Sequence, residues 1–171
     1  MPSEPPTSVA VAGASGFVGS ALIPALAEHF RVVALGRHPR SDAPNIEWRA
    51  CDLYSASSTR AALRGVDVAI YLVHSMMPSS RLFQGSFHDT DLLLADNFAR
   101  ACVANGVQQI IYLGGLVPAE GYVSPHLQSR QEVEAVFETS GVPVTCLRAG
   151  MVVGPGGSSF EILHALVERL P

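Results

Sequence analysis

Gly13-Ala14-Ser15-Gly16-Phe17-Val18-Gly19 constrains this chain more than any other stretch, because of what flanks it. It follows a short apolar run, Val9-Ala10-Val11-Ala12, and opens an amphipathic segment that reaches about Glu28. The residues read as strand, glycine turn, helix. Glycine lets the backbone turn tightly and lets a ligand approach with no side chain between. The free N–H groups and positive dipole end of the helix then favour a pyrophosphate. A small-residue turn alone occurs in many α/β chains. The strand before it, the helix after it and Arg37 beyond the next strand make it a candidate dinucleotide site.

The same rhythm continues along the chain. Candidate strands are 8–12, 31–36, 46–50, 67–73, 109–113 and 142–148. Several are continuous apolar runs, as in strands covered on both faces. Candidate helices are 16–28, 56–64, 89–105, 125–139 and 159–170. Ser55 or Ser57 can cap the second, Asp89 or Thr90 the third, and Gly65, Gly106 and Gly141 follow helix ends. The alternation predicts an α/β, doubly wound parallel sheet with helices on both faces and strand order 3-2-1-4-5-6. The ligand would then lie across the carboxyl ends of the strands. Residues 74–88 and 114–124 read as long loops at that end, where functional residues gather.

Composition narrows the function classes. The 171 residues suit one domain, read as 8–171, behind a proline-rich polar tail at 1–7. Net charge is −4 with no basic block, which argues against nucleic acid as a partner. No apolar run approaches the ~20 residues of a membrane span. Cys51, Cys102 and Cys146 are isolated in apolar segments, which suggests reduced thiols and a cytoplasmic protein. All eleven basic residues are arginine. A phosphate-loop lysine and a Schiff-base lysine are therefore excluded. The histidines show no metal-ligand spacing, so no metal site is expected.

Further motifs carry a resemblance. They are Gly13-x-x-Gly16-x-x-Gly19, Asp52-Leu53, Tyr71-Leu72-Val73-His74, Ile111-Tyr112-Leu113-Gly114-Gly115, and Leu147-Arg148-Ala149-Gly150-Met151-Val152-Val153-Gly154-Pro155-Gly156. Together they resemble the extended or atypical short-chain dehydrogenases/reductases, including sugar-nucleotide epimerases and NmrA-like proteins, which share a Rossmann domain. The resemblance implies that Gly13, Ser15, Gly16, Phe17 and Gly19 hold the pyrophosphate. It implies that Asp52 and Leu53 meet the adenine, and that Leu72, Val73 and His74 line the cleft. Arg37 would sort NADP(H) from NAD(H): a guanidinium can fork onto a 2′-phosphate, so NADP(H) is the preferred cofactor and NAD(H) the lesser one. Arg40 could assist.

The catalytic positions depart from that family. Its usual serine or threonine falls near Gly114 and Gly115, which carry no side chain. Its tyrosine and lysine fall on His126 and Arg130. Histidine titrates near neutrality and could replace tyrosine as acid or base. Arginine could keep the contact to the nicotinamide ribose. The expected function is an NADP(H)-dependent oxidoreductase or epimerase-like enzyme with a non-standard site, acting on an unidentified small molecule. The alternatives are a non-catalytic dinucleotide sensor and an assembly or scaffold protein. Oligomers could form through helices 89–105 and 125–139, and a C-terminal substrate lobe could follow the domain.

Overall fold

The first strand, β1 (Ser8–Ala12), is buried at every position. Such a strand must lie inside a sheet covered on both faces. The computed structural model, which describes residues 7–38, 40–74, 87–118, 120–154 and 158–169, places it there. The elements that follow are α1 (Phe17–Ala27), β2 (Arg31–Gly36), β3 (Ile46–Ala50), α2 (Ala56–Ala62), β4 (Val68–Tyr71), α3 (Phe87–Asn105), β5 (Gln109–Gly115), α4 (Pro125–Glu138), β6 (Val144–Ala149) and α5 (Ser158–Arg169). The strands form one sheet in the order β3-β2-β1-β4-β5-β6, all pairs parallel. This is the predicted Rossmann topology.

Alternate strand residues serve two cores. Val9, Val11, Val32, Ala34 and Ile70 pack beneath Ile23 of α1. Ala10, Val33, Ala69, Tyr71 and Ile110 face the other way, against Phe98 of α3 and Phe137 of α4. Tyr71 sits at the centre of that second core, its ring 5.0 Å from both Phe98 and Phe137. Helix starts are set by side chains: Ser55 Oγ accepts the Ser58 N–H at 3.2 Å, and Ser124 Oγ accepts the Leu127 N–H at 3.3 Å ahead of Pro125. Of the two serines expected to cap α2, Ser55 does so.

Several boundaries move for identifiable reasons. Gly114 and Gly115 end β5 instead of opening a loop, because they pair in register with Arg148 and Ala149 of β6. β4 stops at Tyr71, so Leu72, Val73 and His74 form its exit. Asp67 lies just before β4, where its carboxylate accepts the Ser8 N–H at 2.7 Å and ties the starts of β1 and β4. Helix α3 begins at Phe87, two residues before the expected start at Asp89. Of the predicted loop 74–88, residues 75–86 lie outside the described residues, as do 1–6 of the tail. Among the described residues no helix is long and apolar enough to cross a membrane.

The seat of α1 depends on Gly19. A Cβ there would stand 2.3 Å from the Gly13 carbonyl oxygen and 2.9 Å from Ala14 Cα. Both neighbours are backbone and cannot rotate away. Gly19→Ala should therefore destabilise the fold by about 2 kcal/mol or more, as overpacking does. Denaturant unfolding measures this, and an unchanged midpoint would show that α1 is not held so closely.

Candidate functional site

The three glycines of the turn do three different things. Gly13 has φ +86°, a conformation that L side chains rarely adopt, and a Cβ on it would press on the Leu72 backbone at 3.2 Å. Gly19 is the packing contact already described. Gly16 has ordinary extended angles and is exposed, and a Cβ on it would meet only the Gly13 carbonyl oxygen, at 3.2 Å. Of the three glycines it is the one with the fewest neighbours from the protein itself. Gly16 is also the N-cap of α1 and offers no side-chain cap, and the first turn carries no acidic residue. The leading N–H groups of α1 remain available to an anion.

Beside this turn, at the carboxyl ends of β1, β2 and β4, is a cavity of about 310 Å³. Its wall includes Gly13, Ser15, Arg37, Asp52, Leu53, Val73 and His74, seven of the residues expected at a dinucleotide site. Leu72, also expected there, instead lies beneath Gly13. Phe17 stands at the start of α1 with its ring edge 3.1 Å from the Cβ position of Gly154. Leu35, Cys51, Tyr54 and Leu94 also line the cavity, and none was expected from sequence. Tyr54 follows directly on Asp52-Leu53, a signal that could have been read. Burial pushes the Cys51 thiol up to about 11, so the wall there is an inert neutral group.

Asp52 and Leu53 are held as a fixed strap. The Asp52 N–H donates to Ser58 Oγ at 3.1 Å, and the Asp52 carboxylate accepts the Tyr54 N–H at 3.3 Å. Buried Asn97, 44 residues away on α3, donates its Nδ2–H to the Leu53 carbonyl at 2.9 Å. Next to the strap a smaller hollow of about 280 Å³ is bounded by Arg37, His38, Cys51, Asp52 and Ser58. Arg37 thus faces both spaces. Arg40 stacks over the Trp48 ring at 5.4 Å, so it is engaged elsewhere and does not join Arg37.

Of the three expected at the other end, His74 lines the cavity, while His126 and Arg130 lie beyond its wall, His126 against His74. The two imidazoles meet edge to face with centroids 5.9 Å apart. Burial and then the Arg130 charge lower the pKa of both rings, and for His74 the second imidazole lowers it further. Asp91 opposes that shift at both rings. It is itself buried and accepts the Ser129 hydroxyl at 3.1 Å. Arg130 Nη2 donates to the Leu113 carbonyl at 3.2 Å. Tyr112 donates its hydroxyl to the Arg130 carbonyl, and burial pushes its pKa up to about 12, which removes it as an acid near neutrality. Tyr122 is 82% exposed. Away from the cleft, Glu134, Glu138 and Cys146 bring three ligand-capable atoms within 4.8 Å of one another, but Glu134 is already paired with Arg148.

Two substitutions test the cleft. Gly16→Val places a branched side chain where the ligand must approach and should abolish dinucleotide binding in a protein that still unfolds cooperatively. Asn97→Leu removes the tie to Leu53 and should weaken binding about tenfold, on the scale of one lost buried hydrogen bond. Calorimetric titration with NADPH reads both, and undiminished affinity in folded Gly16→Val would exclude this turn as the pyrophosphate site.

Comparison with known proteins agrees with the geometry. Residues 13–166 match the family described as NAD(P)H-binding. The auxiliary protein GraX of Staphylococcus aureus is 29% identical over 110 residues, covering 63% of this chain and 36% of that protein. Solved structures share the fold. The Bordetella bronchiseptica enzyme WbmH, in complex with NAD+, superposes with TM-score 0.74 at 20% identity over 95% of this chain and 63% of its own. The Citrobacter triphenylmethane reductase, complexed with NADP(H), gives TM-score 0.70 at 23% identity over 94% of this chain and 55% of its own. The chain thus spans less than two thirds of the length of these relatives. A glycine turn open to a ligand, a strapped cavity at the strand ends and a match over residues 13–166 make this chain a member of the NAD(P)H-binding family.

Proposed function

We propose that the protein is an NADP(H)-dependent oxidoreductase in which His126 moves the substrate proton. The observation that supports the NADP(H) reading is Arg37 standing between the main cavity and the hollow it shares with His38 and Ser58. Arg37, His38 and Ser58 share that hollow with Asp52, and the Arg37 guanidinium, at the end of the second strand where an acid would prefer ribose hydroxyls, is the group there that suits a 2′-phosphate. The contact should contribute about 1.5–3 kcal/mol. A bound nicotinamide would supply the hydride chemistry. The protein's part is to orient the ring, hold its ribose through Arg130 and exchange a proton at His126.

The direction of that exchange follows from the pKa. His126 is held below its ordinary value of 6.5 by burial and by Arg130, so it is neutral at pH 7. A neutral imidazole accepts a proton readily and delivers one poorly. Near neutrality His126 is therefore in the form that can take the hydroxyl proton of an alcohol substrate. A second reading, a dinucleotide sensor, is supported by the absence of a side chain at Gly114 and Gly115 and by the auxiliary role in the name of the GraX relative. Free cysteines at 51, 102 and 146 suit a reducing cytoplasm. Self-association through α3 and α4 would involve Leu93 and Val103, which are exposed beside the Asp96–Arg100 ion pair.

Two measurements test these readings. Arg37→Ala should weaken NADP(H) binding by roughly ten- to a hundredfold and leave NAD(H) nearly unchanged. Equal affinity of the parent protein for both cofactors would remove the argument. Alcohol oxidation, assayed with NADP+ and a panel of secondary alcohols and sugars, should rise with pH through a single step below 6.5 and then level. That step should vanish in His126→Phe. Tight NADPH binding without turnover would favour the sensor.

A further inference from the structure

Gly115 and Arg130 fit together in a way that neither residue explains alone. Arg130 reaches back from the second turn of α4 across the end of β5, where Nη2 donates to the Leu113 carbonyl at 3.2 Å. Its stem passes through the space a side chain on Gly115 would fill. A Cβ at Gly115 would lie 3.1 Å from Arg130 Cδ, 3.4 Å from Arg130 Nε and 2.7 Å from Leu127 Cδ2. Gly115 is buried, and its φ is not positive, so backbone conformation gives no reason for glycine here. Arg130 Nε is buried with no hydrogen-bond partner among the described residues. With Nη2 engaged and Nε enclosed, Nη1 is the guanidinium nitrogen left open to a ligand. Among the described residues no carboxylate pairs with Arg130. The charge stands beside His74, which lines the cavity, and His126, which contacts His74.

We propose that Gly115 is a positioning residue: its missing side chain is the slot that fixes the Arg130 guanidinium, with one donor free, at the nicotinamide end of the cleft, to bind a ribose hydroxyl of the dinucleotide. This rests on the dinucleotide reading above. A planar fork held at one end loses less freedom on binding than a free side chain does. With a Cβ at 115 the Arg130 stem would have to give way at Cδ, and its open donor would move with it. Glycine at 115 and arginine at 130 are thus one device.

The experiment compares two ligands on the purified full chain by calorimetry. NADPH spans the whole cleft, whereas 2′,5′-ADP occupies only the adenosine half. Gly115→Ala is combined with Leu127→Ala, which removes the other atom the new Cβ would meet. The double variant should bind NADPH about tenfold more weakly and 2′,5′-ADP as the parent does. Adding Gly115→Ala to an Arg130→Ala/Leu127→Ala background should weaken NADPH no further. Full NADPH affinity in the double variant, an equal loss for 2′,5′-ADP, or the same loss without Arg130 would each overturn the proposal. Should the double variant fail to fold, Arg130→Met decides. Methionine keeps an unbranched stem beside Gly115 and removes every guanidinium donor, so NADPH binding should again fall about tenfold with 2′,5′-ADP unchanged, and undiminished NADPH binding overturns the proposal. If the parent binds neither ligand, the dinucleotide reading fails, and the proposal with it. Binding of both that is indifferent to these substitutions removes the proposal alone.

Discussion

Backbone packs on backbone at Gly19, where no Cβ could stand beside the carbonyl of Gly13. This packing sets the distance of α1 from β1, and so how deeply Ile23 sits over Val9, Val11 and Val32. It also sets where the first N–H groups of α1 lie relative to the strand ends. With β1 central and paired on both sides, β2 with Arg37 beyond it and β4 with His74 beyond it end on either flank of the same turn. One contact free of side chains thereby registers the core and the cleft together.

The two ends of that cleft are built from different materials. The end beside Asp52 is a backbone structure, with the Asp52–Tyr54 strap held by hydrogen bonds to Ser58 and from Asn97 and lined by a neutral thiol. The other end is made of side chains whose charges bear on one another. Arg130 and burial keep the two imidazoles neutral, while Asp91 pulls the other way and is itself bound to Ser129. The strap end is thus held by hydrogen bonds to fixed backbone, and the imidazole end by side-chain charges.

Much of this was legible in the sequence because period and punctuation report local physics. Continuous apolar runs gave away strands buried on both faces, and the glycine turn between strand and helix marked the ligand side. Arg37 and Asp52 could be placed beside the cavity because each follows a strand end that parallel topology brings to one edge. The parts that stayed hidden depend on contacts distant in sequence. Nothing in the pattern around Asn97 says that its amide reaches Leu53, and Leu94 reads as one apolar residue among many. Gly114 and Gly115 look like a loop until β6 is laid beside them. The fit of Gly115 to Arg130 appears only when α4 is seated on β5.

Helix α3 touches both ends of the cleft. Asn97 on one turn grips the strap beneath the adenosine end, and Asp91 holds Ser129 of α4 beside the imidazole pair. Six residues of helix separate them, about 9 Å along a stiff rod. Phe98, packed between Tyr71 and Phe137, pins the rod near its middle. One helix thus carries both the amide that ties the strap and the carboxylate that faces the histidines, so the two ends of the cleft are seated by a single element.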